Sequence, residues 1–169
     1  MGAAVAASID AGRQSTRPPQ EEGGNGPPSA PSRAGETRRD LRDKRLVLVD
    51  DDPDMLEILA AALDGLGADV RLAQNAADAF ALCNQQPPDV IVSDIGMPGE
   101  DGYSLMARLR ASAEPRLAAV PAIALTAYVG SEVRRRALAA GFDVYLTKPI
   151  DPERLLEFVA RLATRGRNP

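Results

Sequence analysis

The chain contains no histidine, and that absence removes whole mechanisms. There is no Ser/His or Cys/His nucleophile pair, no His-ligated zinc, and no histidine of its own to carry a phosphoryl group. Cys83 is the single cysteine, so an internal disulfide is excluded and a reducing compartment fits. No apolar run is long enough for a membrane span, and the N-terminus lacks the basic start and uninterrupted apolar core of a secretory signal. The opening Met1-Gly2-Ala3-Ala4-Val5-Ala6 also lacks the Ser or Thr of a myristoylation site. These absences predict a cytoplasmic protein without membrane insertion. A Gly-rich loop ending in Lys-Ser or Lys-Thr is missing too, which disfavours nucleotide hydrolysis.

What is present divides the chain in two. Residues 1–44 are rich in Ala, Gly, Pro, Ser and Arg without periodic apolar residues, and cannot bury enough surface to offset the entropy of ordering. They are expected to be a disordered tail, with a second disordered end at 166–169. Residues 45–165 have the length and the Leu, Val, Ile and Ala content of one compact domain. The formal net charge is −4: the tail has slightly more Arg and Lys than acid, and the expected domain is acidic. An acidic domain is poorly suited to neutralising nucleic-acid phosphates, so no direct nucleic-acid contact is expected.

Four short apolar runs punctuate the domain, at 46–49, 90–93, 122–125 and 144–147, and Val70 to Ala73 reads as a further strand. Uninterrupted runs of this length read as strands buried on both faces of a parallel sheet. Between them lie segments with helical spacing. Asp52-Pro53 is a cap and first-turn pair, followed by Met55, Ile58, Leu59, Ala62, Leu63 and Leu66 up to Gly67. Asn75 can cap a second helix holding Ala79, Phe80, Leu82 and Cys83, where Cys83 reads as core filler. Tyr103 to Leu109 supplies a third helix, and Val133 to Ala140 a fourth that ends at Gly141. Asp151-Pro152 opens a fifth, with Ile150 and Leu155 placed as a hydrophobic staple. Alternating strands and helices predict a doubly wound α/β fold: five parallel strands in the flavodoxin-like order 2-1-3-4-5, with five helices.

All four runs end on groups that handle phosphate or a divalent cation: Asp50-Asp51, Asp94, Thr126 and Lys148. Ligand sites of such sheets lie beyond the carboxyl ends of the strands, so these side chains should converge. Three carboxylates at one sheet edge repel one another unless a cation sits among them, and hard oxygen donors favour Mg²⁺ or Mn²⁺ over zinc. Lys148 can hold a phosphoryl oxygen as a point charge, leaving Asp94 as nucleophile. With no histidine in the chain, any phosphohistidine donor must be another molecule. Asp52 reads as a helix cap rather than a ligand, and Arg134-Arg135-Arg136 as a solvated helix face.

Val49-Asp50-Asp51, the stretch Pro88 to Gly102, Leu125-Thr126-Ala127 and Tyr145-Leu146-Thr147-Lys148-Pro149 together resemble the receiver domain of two-component response regulators. The likeness covers the whole expected domain and is closest in kind to stand-alone, chemotaxis-regulator-like receivers. The segments Ile95 to Gly102 and Ala139-Ala140-Gly141-Phe142 also look like receivers of hybrid sensor kinases. The resemblance implies that Asp94 accepts a phosphoryl group from a sensor histidine kinase or histidine phosphotransfer protein. It further implies that Asp51, Asp94 and the Gly96 carbonyl bind Mg²⁺ directly, with Asp50 acting largely through water. Thr126 would move to hydrogen-bond the phosphoryl group and draw Tyr145 inward, repacking the surface of the fourth helix, fifth strand and fifth helix. Lys148 would bridge to the acyl phosphate, and its bond to Pro149 would be cis.

On this reading the chain is not a turnover enzyme, although it catalyses its own phosphorylation and slow dephosphorylation. Only one further helix is expected after Pro149, so output is expected by contact with a downstream protein target, and phosphorylation could drive homodimerisation. A phosphate sink or relay for a hybrid kinase, and a scaffolding receiver that works without phosphate, are the alternatives. A haloacid-dehalogenase-type phosphatase needs a second acid two residues after its nucleophile, where this chain has Gly96. Tyr128, two residues after Thr126, is expected to limit attack by water modestly.

Overall fold

The computed structural model describes residues 41–165. Five strands, β1 (Arg45–Val49), β2 (Asp69–Ala73), β3 (Val90–Asp94), β4 (Ala122–Thr126) and β5 (Val144–Thr147), form one sheet in the order β2-β1-β3-β4-β5. Every pairing is parallel. The helices are α1 (Pro53–Asp64), α2 (Ala76–Gln85), α3 (Gly102–Arg110), α4 (Pro115–Ala118), α5 (Ser131–Ala140) and α6 (Pro152–Arg165). The strand order is the expected one. The helices number six among the described residues rather than five, because the link from α3 to β4 makes a single extra turn capped by Glu114. The expected fourth and fifth helices are therefore α5 and α6.

Side-chain alternation sorts the central strands onto two cores. Leu46, Leu48, Val90, Val92, Ile123 and Leu125 face α1 and α6, meeting Leu56, Leu59, Leu63, Leu155 and Val159. Val47, Val49, Ile91, Ala122 and Ala124 face the other layer, with Ala79, Cys83, Leu105, Met106, Leu109 and Ala137. Both faces are dry, which is why β1, β3 and β4 read as unbroken apolar runs. The periodic helix pattern overreached in two places. Ile58 is 59% exposed and Leu138 43% exposed, on the outward sides of α1 and α5. Ile150 and Leu155 do pack into one core, as a staple requires.

The domain also starts earlier than its periodicity suggested. Leu41, assigned to the tail, is fully buried, and its N–H donates to the Leu66 carbonyl at 3.0 Å. A lone Leu among charged residues gives no periodic signal. The expectations of disorder over 1–40 and 166–169 lie outside the described residues.

At the starting ends of the strands one device occurs twice. The Asp89 carboxylate accepts from the Arg45 N–H at 2.9 Å, and its own N–H donates to the Arg45 carbonyl at 2.8 Å. Asp143 does the same with Ala122, at 2.8 Å in both directions. Beside it the Arg110 guanidinium donates to the carbonyls of Ala118, Val120 and Gly141 at 3.1, 2.8 and 2.7 Å. These bonds pin the crossovers at the end of the sheet opposite the candidate site.

Cys83 is wholly enclosed, and burial pushes its thiol up to about 12. At pH 8 its thiolate fraction is then on the order of 1 in 10⁴. The folded protein should resist a disulfide reagent such as dithionitrobenzoate and react fully once urea unfolds it. Labelling of the folded chain at the rate of a free thiol would contradict this packing.

Candidate functional site

Four chain segments leave the same end of the sheet side by side. Asp50 and Asp51 follow Val49, Asp94 and Thr126 are the last residues of β3 and β4, and Lys148 follows Thr147. The register carries them together: Val49 lies opposite Ser93, Asp94 opposite Leu125, and Thr126 opposite Thr147. Residues far apart in the chain thus meet because parallel strands all end at one edge.

Ligand oxygens of Asp50, Asp51 and Asp94 all lie within 4.8 Å of one another, the one such acidic group among the described residues. Asp50 and Asp94 are buried, and Asp51 is exposed at the mouth. Lys148 Nζ sits 2.7 Å from Asp50 Oδ2 and 3.4 Å from Asp94 Oδ2. Asp50 Oδ1 accepts from the Asp52 N–H at 3.1 Å, so both Asp50 oxygens are engaged. Burial raises the Asp50 carboxyl above its ordinary value, and the bonds from Lys148 and Asp52 only partly offset this. Burial alone would lower Lys148; its hydrogen bond to Asp50 and the charge of Asp94 outweigh that, and its net shift is upward. A charged lysine against two buried carboxylates leaves an excess of negative charge with open oxygen donors. That donor set is hard, anionic and compact, and it fits a small divalent cation such as Mg²⁺.

The remaining expected residues border this cluster in different ways. Gly96 is exposed in the β3–α3 loop, and the nearest atom to a Cβ there would be Asp94 Oδ2 at 3.8 Å. Thr126 is fully buried, and its Oγ1 accepts from the Tyr128 N–H at 3.1 Å. The Tyr145 hydroxyl donates to the carbonyl of that same Tyr128 at 2.5 Å. One residue's backbone therefore links Thr126 to Tyr145. The peptide bond between Lys148 and Pro149 is cis, and the Lys148 N–H donates to the Thr126 carbonyl at 2.7 Å. Asp52 is spent as a cap, accepting from the Asp54 and Met55 N–H groups at 3.0 and 3.3 Å.

Two features escaped the sequence reading. Gly102 packs so closely that a Cβ there would lie 2.4 Å from the Asp94 carbonyl oxygen and 2.9 Å from Ile95 Cα. Arg108 on α3 reaches back to Glu100, its Nη1 donating to Oε2 at 2.7 Å and Oε1 at 3.0 Å. Of the basic run on α5, Arg135 pairs with Glu132 in solvent, as a solvated face would, but Arg136 lies 4.3 Å from the Tyr103 ring centre.

Comparison with known proteins agrees with this geometry. The chain is 45% identical over 114 residues to an uncharacterised 14.6 kDa protein of Leptolyngbya boryana, covering 68% of this chain and 86% of that one. It is 36% identical to Protein PilH of Pseudomonas aeruginosa, over 68% of this chain and 93% of PilH. It is 34% identical to Sensor protein GacS of Pseudomonas syringae, over 71% of this chain but only 13% of GacS. Some relatives are thus far longer than the matched region. Among solved structures, the receiver domain of a Pseudomonas aeruginosa sensor histidine kinase, with magnesium coordinated in its active-site cleft, superposes with a TM-score of 0.65. It shares 32% identity over 72% of this chain and 98% of that one. The family described as the response regulator receiver domain matches residues 46–160, and the chain belongs to it, a domain of two-component signalling.

Proposed function

We propose that the protein accepts a phosphoryl group on Asp94 from a phosphohistidine of a sensor histidine kinase or histidine phosphotransfer protein. The observation that carries this reading is Lys148 Nζ at 3.4 Å from Asp94 Oδ2, inside a set of three convergent carboxylates. An Asp94 carboxylate oxygen attacks phosphorus, the bond from phosphorus to the donor's imidazole nitrogen breaks, and that nitrogen leaves with the electron pair. Lys148 holds a phosphoryl oxygen through the transfer. Asp51, Asp94 and the Gly96 carbonyl would hold Mg²⁺ directly, with Asp50 behind them through water. Held by these residues, Mg²⁺ would supply neutralisation of the charge gathering on the phosphoryl oxygens. Mn²⁺ offers the same hard-ligand chemistry.

Output follows from the link through Tyr128. A Thr126 hydroxyl turned toward the phosphoryl group takes its Oγ1 from the Tyr128 N–H, and the loop holding Tyr145 loses its anchor. Tyr145 then turns inward and the α5–β5–α6 surface repacks, a phosphate-biased population shift read by a downstream protein target or a second copy of the chain. On this reading the protein acts in the cytoplasm, as a stand-alone regulator. The likeness to GacS supports a second reading, in which the same chemistry serves as a phosphate relay or sink for a hybrid kinase.

Intact mass after incubation with acetyl phosphate tests the chemistry. One base-labile phosphoryl group should appear with Mg²⁺ and be absent with a chelator. No gain, with a phosphorylated kinase also failing to transfer, would turn the reading toward a phosphate-independent scaffold. Tyr128, 67% exposed, should shield the acyl phosphate a little. Tyr128→Ala is expected to shorten its lifetime about two- to threefold, a change near 0.5 kcal/mol in barrier. Equal decay of the two proteins would remove that role.

A further inference from the structure

The β3–α3 loop from Ile95 to Asp101 carries the Gly96 carbonyl, and its ends are tied by the backbone. The Ile95 N–H donates to the Leu125 carbonyl at 2.9 Å, and the Gly102 N–H to the Ile95 carbonyl at 3.1 Å. Between those ties the loop has Pro98, Gly99 at φ +78°, and Met97 buried to 5% exposure. Glu100 is its outer corner, and Arg108 grips that corner through both carboxylate oxygens. The guanidinium is itself fixed from behind, 4.1 Å from the centre of the Phe80 ring on α2. A strut thus runs from α2 through Arg108 to the loop that presents Gly96.

Resting on the reading of the acidic cluster as a Mg²⁺ centre, we infer that Glu100 and Arg108 are positioning residues for the Gly96 carbonyl. Mg²⁺ tolerates little departure from octahedral geometry at short distance, so a loop held in place binds it better than one that must be ordered on binding. Neither residue belongs to the acidic cluster of Asp50, Asp51 and Asp94. Their effect runs through the loop's conformation, as partners beyond the ligands do at other metal sites.

Geometry and simple charge make opposite predictions for Arg108→Leu and the same one for Glu100→Gln. Arg108→Leu keeps an apolar contact to Phe80 and leaves Glu100 as an uncompensated negative charge, which by field alone would strengthen cation binding. Glu100→Gln removes a negative charge, which by field alone would weaken it. Positioning predicts that both weaken Mg²⁺ by roughly fivefold, the worth of a half-exposed ion pair. The double variant should lose little more than either single one.

The experiment is calorimetric titration of Mg²⁺ into wild type and the three variants. It is paired with amide hydrogen exchange on the metal-free proteins and with melting curves to verify folding. The expected result is weaker binding in all three variants and faster exchange confined to residues 96–101. Tighter or unchanged binding by folded Arg108→Leu would overturn the strut while leaving the metal centre standing. Failure of folded wild type itself to bind Mg²⁺ would overturn the metal centre, and the strut's purpose with it.

Discussion

Asp94→Asn should take up no phosphoryl group from acetyl phosphate or from a phosphorylated kinase, at any Mg²⁺ concentration, while remaining folded. The amide nitrogen and oxygen occupy nearly the carboxylate's volume, so the buried site keeps its packing, but neither atom is a competent nucleophile. The neighbouring carboxylates do not substitute. Asp50 Oδ2 is committed to Lys148 at 2.7 Å and Oδ1 to the Asp52 N–H at 3.1 Å. Asp51 stands exposed at the mouth, while the ion pairs of Lys148 run to Asp50 and Asp94. Removing one of three crowded negative charges also relieves repulsion. The variant without metal should melt no lower than wild type, and its Mg²⁺ affinity should fall by about tenfold or more for want of an anionic ligand. Intact mass, melting and Mg²⁺ titration of the two proteins check all three expectations. A phosphorylated Asn variant would place the nucleophile elsewhere.

Gly102→Ala is expected to be among the most damaging single-methyl additions in the described domain. Gly102 is the first residue of α3, where helix propensity favours Ala over Gly by at most the helix-interior value of about 1 kcal/mol. Steric contact opposes this and wins. The added carbon would sit 2.4 Å from the Asp94 carbonyl oxygen and 2.9 Å from Ile95 Cα, both backbone atoms that cannot swing away. Overpacking of this kind costs about 3 kcal/mol, so the net loss is about 2 kcal/mol, or roughly 8 °C in melting temperature. The strain also falls on Asp94, the proposed phospho-acceptor, so phosphorylation should slow in the surviving folded fraction. Gly65, with nothing within 4 Å of its Cβ position, is the control: Gly65→Ala should leave both melting and phosphorylation close to wild type. If Gly102→Ala matched that control, the close approach of α3 to Asp94 would not constrain the site.

The sheet, the meeting of Asp50, Asp51, Asp94 and Lys148, and the place of Thr126 at the same edge were legible in the sequence because two signals coincided. Strands buried on both faces lose their alternation and appear as short apolar runs, and polar residues directly after such runs can only lie at the sheet's carboxyl edge. The elements that escaped have no such signal. The single turn of α4 is shorter than one repeat of helical periodicity needs to declare itself. Leu41 joins the core as an isolated apolar residue among charged ones. The outward side of α1 defeated the pattern in the other direction, since Ile58 fits the spacing yet faces solvent. At the site, Gly102 stood at the end of the Pro88 to Gly102 stretch with no role assigned, because a sequence records the missing Cβ but not the backbone that fills its place. Glu100 and Arg108 join a loop to a helix, so no fixed periodicity links them.

The paired aspartate clasps of Asp89 and Asp143, together with the carbonyl-gathering Arg110, all sit where the strands begin, and every group assigned to chemistry sits where they finish. Fastening and chemistry therefore draw on different residues at opposite ends of one sheet, far enough apart that the effects of substitutions at the two poles on stability should simply add.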